Sequence, residues 1–479
     1  MTISSWLRTP RIRRGLAASA IVLSAGGLIL FRAPAGASVP RVLTHELQPL
    51  VAGVNSVTFA GPGAHGMVSL SHTNVLAGAG QPLFAEVRIV ADRIGDLAQD
   101  RAPLSLAVVL DTSGSMEGEK MDQAQNSVIR LIGEMRDDDE ITVVRYSDSA
   151  EVVQPLARVG DVRGSLIERV RRLTAGGGTA IPSGLSRGLR ELSNASSGRV
   201  RRVVLVSDGL DATRQEAERL ASNSFERGVT VSSLGVGLDF DESYMNGVAH
   251  SGHGNFGFVK DGAALSAFLE RELKETAATT LEGAEVAFDL PRGVSFVRAT
   301  GADARIVGDS LHLKIGSLFS GDDRRVIVEL TSTLGAGDAR SITGHARWTR
   351  VRGGSTEAGF SQLTIVASTD AGAVTAGIDG RVFASATSVV ASTRQLEATE
   401  AYAKGDALRA QAILAESTAS LGAAIAVAPP SAAAPLARQA AKYKERAGDF
   451  KAAPGSDEGK AAAKAAVQLD SANTSRASF

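Results

Sequence analysis

The sequence predicts a doubly wound α/β domain inserted in a β-sandwich domain, with an α-helical segment at the carboxyl end. Three observations carry that prediction. Between residues 103 and 281 apolar strand-like runs alternate with amphipathic helical stretches, the order that a parallel sheet covered on both faces requires. On either side of this block, short alternating segments separated by Gly and Asp turns read as sandwich strands. From residue 388 the composition shifts to alanine, with apolar residues spaced near the helical period.

The amino terminus comes first. Arg8, Arg11, Arg13 and Arg14 precede the uncharged, mostly apolar run Gly15–Phe31, and the small residues Ala33-Pro34-Ala35-Gly36-Ala37 follow it. This is the layout of an export signal. The run falls between the usual lengths of a signal core and a membrane span, so residues 1–37 are expected to be a signal peptide or an amino-terminal membrane anchor. Cleavage would give a secreted or cell-surface protein. Retention would give an inner-membrane anchor with the remainder facing the periplasm or the exterior, because the flanking arginines stay inside.

Residues 38–66 read as a linker punctuated by Gly and Pro. In 67–102, alternation at Met67–Leu70 and Leu83–Val90 predicts strands that contribute to the sandwich. The α/β block 103–281 opens with the strand Ser105–Leu110 and the helix Lys120–Met135, followed by a strand pair at Glu140–Tyr146 and Glu151–Leu156. Helices at Val162–Leu173 and Ile181–Leu192 come next. Strands at Val203–Val206, Val229–Leu234 and Gly254–Val259 complete the sheet, with helices at Arg214–Arg227 and Ala264–Thr276. In 282–370 the alternating pattern returns and predicts the rest of the sandwich. Residues 371–387 read as a connector and 388–426 as a helical hairpin broken at Gly405-Asp406. Residues 427–479 read as a linker at Ala428-Pro429-Pro430 followed by a helical or disordered Ala/Ser/Lys-rich tail.

The chemistry sits at the rim of the α/β block. A buried strand ends in Asp111-Thr112-Ser113-Gly114-Ser115, which puts one carboxylate and two hydroxyls on a tight turn, and such oxygens suit a hard divalent cation. Gly176-Gly177-Gly178-Thr179 offers a further hydroxyl on a flexible loop. Val203–Ser207 repeats the pattern of a buried strand followed by a carboxylate, here Asp208. In an open parallel sheet the carboxyl ends of neighbouring strands face one crevice, so Asp111, Ser113, Ser115, Thr179 and Asp208 can share one ion. Either short motif alone is usually a capped turn or a loop; their occurrence together and in this order favours a metal site.

This combination resembles the von Willebrand factor type A (VWA) domain and its metal-ion-dependent adhesion site. The D-x-S-x-S element matches Asp111, Ser113 and Ser115, the loop threonine matches Thr179, and the second aspartate matches Asp208. The resemblance covers about residues 104–280 and implies an inserted domain of this kind. It further implies that Ser113, Ser115 and often Thr179 bind Mg²⁺ directly; Mn²⁺ and Ca²⁺ stay open as alternatives to Mg²⁺. The aspartates would act mostly through waters, and a protein partner's Asp or Glu carboxylate would take the open position.

Other classes have less support. The 51 Lys and Arg against 52 Asp and Glu leave no basic field for nucleic acid, and no Gly-x-x-x-x-Gly-Lys loop supports nucleotide binding. There is no cysteine, so an exported chain must rely on packing, or on packing and metal, rather than on disulfides. His250 and His253 lack further zinc ligands nearby and read as a surface loop. Gly184-Leu185-Ser186-Arg187-Gly188 falls inside a helix, where a nucleophile elbow does not form. Asp211 reads as the cap of the helix that follows. The expected function is an exported, metal-dependent protein-binding module, adhesive or scaffolding, and not an enzyme. The alternatives are a membrane-anchored assembly factor working with an ATPase or envelope complex, and a metal-assisted hydrolase that lacks an evident general base.

Overall fold

Ser56–Gly61 (β1) and Ala64–Leu70 (β2) pair antiparallel across Pro62-Gly63, where the linker through residue 66 is expected. The Gly/Pro punctuation is the turn of a hairpin: Gly63 sits at φ +92°, a conformation that glycine adopts without a side-chain penalty. Asn74–Leu76 (β3) and Gln81–Ala91 (β4) follow. The computed structural model describes residues 55–93, 102–208, 212–236, 240–259 and 262–476. The expected signal or anchor 1–37, the linker up to 54 and Asp211 lie outside them.

After β4 the chain leaves the sandwich for an α/β unit and returns at Thr279–Asp289 (β11). Val294–Thr300 (β12), Asp303–Val307 (β13), Ser310–Phe319 (β14), Asp323–Ser332 (β15), Ala339–Arg350 (β16) and Ser355–Ser368 (β17) complete two sheets. Their orders are β1-β2-β4-β15-β12 and β13-β14-β11-β16-β17-β3. Strand β4, before the insertion, pairs with β15, after it, matching Leu83 to Leu330 and Val87 to Val326. Their inner faces meet over Phe59, Phe288 and Trp348, whose indole N–H donates to the Pro62 carbonyl at 2.9 Å.

Within the insertion, Leu104–Asp111 (β5) is buried along its whole length. Its continuous apolar run reflects cover on both faces, as expected for a central parallel strand. The sheet also contains Glu140–Tyr146 (β6), Ala150–Arg158 (β7), Val200–Ser207 (β8), Val229–Val236 (β9) and His253–Val259 (β10), in the order β10-β9-β8-β5-β6-β7. All neighbours run parallel except the β6/β7 hairpin. Glu119–Glu134 (α1), Val159–Arg171 (α2) and, later in the chain, Gly262–Ala277 cover one face through Val128, Leu166 and Leu269. Ile181–Leu192 (α3), Arg214–Glu226 (α4) and Glu242–Ser251 (α5) cover the other through Leu185, Ala221 and Val248. The helix Gly262–Ala277 is α6.

The carboxyl-terminal region departs most from expectation. Ala371–Ala376 (α7) and the start of Gly380–Ala403 (α8) occupy the expected connector, and Asp379 caps α8 by accepting from the Arg381 and Val382 N–H groups at 3.1 Å each. The hairpin turns at Gly405, φ +86°, into Ala407–Val427 (α9). The expected linker begins another helix, Pro430–Asp449 (α10), because Pro430 occupies its first position, where a missing N–H costs nothing. The tail is the helix Asp457–Arg476 (α11). Alanine favours helix, and this stretch buries Ala466 and Val467. Helix α8 lays Ala386 and Val389 against Ile327 of the sandwich, and α11 reaches the α/β unit, where Lys464 Nζ donates to the Phe240 carbonyl at 3.2 Å and pairs with Glu242. Among the described residues α9 is long and apolar enough to cross a membrane; in the fold it buries Leu414, Leu421 and Ala424 among its neighbours.

A polar layer joins α8, α10 and α11. Asp470 Oδ1 accepts from Ser392 and Tyr443 at 2.9 Å each, and Asp470 Oδ2 accepts from Arg446 at 3.3 Å. Burial pushes the Asp470 carboxyl up to about 6, against the opposing pull of Arg446 and the two hydroxyl donors. A carboxyl raised in the fold supports the fold when protonated. Its contribution is whole below about pH 4 and is lost as pH rises through about 6, a difference of about 3 kcal/mol at most. Asp470→Asn keeps the acceptor and removes the charge. We expect it to unfold at a higher temperature than the parent at pH 7.5 and at the same temperature at pH 4; an equal difference at both pH values would contradict this account.

Candidate metal centre

Asp111 is the last residue of β5, and Asp208 immediately follows the neighbouring β8. Parallel pairing of these strands matches Leu110 to Val206 and so brings both strand ends to one sheet edge, with Ser207 level with Asp111 and Asp208 one residue beyond. Both are buried. Asp111 Oδ1 accepts the Ser113 N–H at 2.8 Å, which tightens the turn. Its Oδ2 accepts the Ser207 hydroxyl at 2.6 Å, with the Tyr146 hydroxyl farther off at 3.4 Å. Above the carboxylates, Ser113 Oγ and Ser115 Oγ lie 3.0 Å apart, and Ser115 donates to Asp208 Oδ1 at 2.7 Å. Four of the five expected residues thus form one hydrogen-bonded chain.

Thr179, the fifth, lies on a loop that the backbone fastens to the same turn. Gly176 N–H donates to the Thr112 carbonyl at 2.8 Å and Gly114 N–H to the Gly177 carbonyl at 3.0 Å. From the far side, Asp148 Oδ1 accepts the Gly178 N–H at 2.9 Å. Gly177 has φ +84°, and a Cβ there would come within 2.5 Å of the Asp148 carboxylate, as one at Gly178 would within 2.7 Å, so these two glycines pack closely on Asp148 while Gly176 faces open space. The Thr179 hydroxyl makes no hydrogen bond among the described residues and is not part of the Asp111 to Asp208 chain.

The donor chemistry fits a small hard cation. Adjacent ligands of octahedral Mg²⁺, at about 2.0–2.1 Å from the ion, stand about 3.0 Å apart, which is the separation of Ser113 Oγ and Ser115 Oγ. Among the described residues no three His, Cys, Asp or Glu side chains gather into a metal cluster, so the set is weighted toward hydroxyls. Burial raises the Asp111 carboxyl above its ordinary range and the nearby Asp208 adds to this, while the bonds from Ser207 and Ser113 oppose it. A dication close by would reverse that balance.

The remaining motifs have structural roles. Gly184 and Gly188 let α3 lie directly on the sheet: a Cβ at either would come within 2.5 Å of the Tyr146 ring or 2.6 Å of Val109. His253, expected on a surface loop, instead opens β10 and stacks on Phe225 at 3.7 Å between ring centres. Desolvation holds its imidazole down to about 3, which leaves it neutral.

Ser207, Tyr146, Asp148 and Lys120 were not legible as site residues. Lys120 donates to the Ser115 carbonyl at 3.2 Å and forms an ion pair with Asp208 Oδ2. It did carry a signal: it is a cation in the first turn of α1, the end of a helix that disfavours positive charge unless a partner is near.

Residues 105–271 match the family model of the von Willebrand factor type A domain. An uncharacterized protein of Synechocystis sp. is 28% identical over 194 residues, 40% of this chain and 46% of that protein. Inter-alpha-trypsin inhibitor heavy chain H2 of Mus musculus is 26% identical over 172 residues, 32% of this chain and 18% of its own length. The match therefore spans less than half of these curated relatives. A solved von Willebrand factor type A protein from Catenulispora acidiphila superposes with a TM-score of 0.65 at 20% identity, covering 88% of this chain and 97% of that one. That likeness of fold extends well beyond the α/β unit. By sequence match and by fold, residues 105–271 of this chain carry a von Willebrand factor type A domain.

Proposed function

We propose that this chain is an exported protein-binding module that recognises an Asp or Glu carboxylate of a partner protein through a divalent cation, Mg²⁺ in the first instance. VWA domains often mediate protein interaction and commonly bind a divalent metal. The observation that carries the reading here is the pair of serine hydroxyls set 3.0 Å apart over two buried aspartates. Because the carboxylate oxygens are already engaged by Ser113, Ser207, Ser115 and Lys120, few protein anions are left to bind a metal directly. Ser113, Ser115 and Thr179 would hold it, and Asp111 and Asp208 would support it through waters. When bound, Mg²⁺ would supply an electrophilic position for an incoming carboxylate.

The loops around Gly176 and Asp148 would frame that position and contribute to partner choice. Export, with the amino-terminal segment either retained as an anchor or removed, belongs to the same proposal and rests on the sequence of residues 1–37. The test is a pull-down from envelope extract using the parent with Mg²⁺, the parent with EDTA, and Ser113→Ala with Mg²⁺. A partner retained only in the first condition supports the proposal; one retained equally in all three overturns it.

A further inference from the structure

Lys120 stands where helix electrostatics argue against it. It lies in the first turn of α1, beside backbone N–H groups that already carry partial positive charge. Its ammonium nevertheless turns toward the centre, with one bond to the Ser115 carbonyl at 3.2 Å and a close ion pair with Asp208 Oδ2. Asp208 is wholly buried as a side chain, whereas that of Lys120 is 32% exposed. The lysine therefore reaches in from solvent to a carboxylate that has no solvent of its own. Ser115 occupies the other oxygen of the same carboxylate, so Lys120 and Ser115 together fix Asp208 from both sides.

The charge balance gives this contact its meaning. Asp111 and Asp208 repel one another across adjacent strand ends, and a buried like-charge pair needs a compensating cation. Lys120 supplies one unit, which leaves the three groups at −1. With a dication added, the same groups come to +1; without the lysine they would come to zero. We propose that Lys120 is a built-in counter-cation. It holds Asp208 in place when no metal is bound, lowers the affinity for a divalent ion, and leaves the loaded centre with a positive charge that selects an anionic group. The inference rests on the metal-binding reading and goes beyond it by naming the residue that sets the trade between metal affinity and carboxylate affinity. Lys120 acts through Asp208 and is a positioning residue.

Two variants separate charge from structure. Lys120→Met keeps most of the stem and removes the charge; Lys120→Arg keeps the charge. Mg²⁺ affinity is measured by calorimetric titration of the full chain, and folding of each variant by circular dichroism. Binding of N-acetylglutamate amide to the Mg²⁺-saturated protein is then followed by nuclear magnetic resonance. Removing one unit charge beside a partly solvated site is expected to tighten Mg²⁺ binding roughly tenfold in Lys120→Met. The same variant should bind the glutamate probe several times more weakly. Lys120→Arg should stay close to the parent in both. The Mg²⁺-induced rise in unfolding temperature should also be larger in Lys120→Met, because its metal-free state lacks the compensating cation.

Equal or weaker Mg²⁺ binding by Lys120→Met would overturn this inference and leave the metal centre standing. An Arg variant that behaves like the Met variant would also overturn it, by showing that shape rather than charge is at work. No Mg²⁺ binding by the parent at millimolar concentration would remove the metal reading and this inference with it.

Discussion

Asp111→Ala is expected to weaken Mg²⁺ binding about 100-fold, the upper end of what a residue acting through the outer shell of a metal commands. The reason is local. Asp111 Oδ1 is the acceptor that closes the turn on the Ser113 N–H, and Oδ2 anchors the Ser207 hydroxyl at the end of β8. Alanine releases the Ser113 hydroxyl from its place beside Ser115 and removes one of the two negative charges that favour a cation. Asp111→Asn separates these losses, since its amide oxygen can still accept from Ser113 while the charge is gone; its loss should fall between those of the parent and the alanine variant. Calorimetric titration with Mg²⁺ and manganese electron paramagnetic resonance both read the outcome. Asp111→Ala binding within threefold of the parent would mean that the cation, if bound, sits elsewhere.

How much of this centre was legible in the sequence follows from how each part is encoded. Asp111 and Asp208 could be read because a fully buried parallel strand is a continuous apolar run, and a carboxylate directly after it has only the sheet edge to occupy. Thr179 was legible only as a loop residue. What brings that loop to the turn is backbone hydrogen bonding by Gly176 and Gly177, which leaves no mark on residue type beyond the glycines themselves. Lys120 and Ser207 escaped because each lies within a regular element, and only the fold shows that its side chain faces the aspartates.

The misread segments share a cause. Up to residue 66 the Gly/Pro content reads as chain punctuation, whereas Pro62-Gly63 makes the turn between β1 and β2, whose later half Met67–Leu70 is the expected strand. At α10 the run Ala428-Pro429-Pro430 reads as a linker, whereas Pro430 opens a helix, and α11 takes the helical alternative for the tail, although neither offers many large apolar residues to bury. Alanine faces bury by close approach instead, and larger groups such as Tyr402 and Phe450, stacked at 4.2 Å between ring centres, fill what remains. A pattern made of small residues gives weak periodicity even where packing is complete.

Glu272→Ala is expected to destabilise the α/β unit by about 3–5 kcal/mol, the cost of stripping one partner from a buried ion pair. Glu272 lies on α6 and is buried against three successive strands. Arg202 of β8 donates to Oε2 at 2.7 Å, Ser232 of β9 donates to the same oxygen at 2.6 Å, and Asn255 of β10 donates to Oε1 at 2.5 Å. Removing the carboxylate leaves the Arg202 guanidinium, whose Nε already lacks a partner among the described residues, as an uncompensated buried charge. The double variant Arg202→Met with Glu272→Leu removes both charges and fills the space with apolar groups, so it should recover most of that loss. Hydrogen exchange at the amides of β8 and β9 reports on this unit apart from the sandwich and the helices, where a single unfolding midpoint would blend all three. Recovery in the double variant would mean that the pair fixes where α6 sits on the sheet and adds little net stability. A double variant as unstable as Glu272→Ala would instead assign the loss to the Ser232 and Asn255 hydrogen bonds.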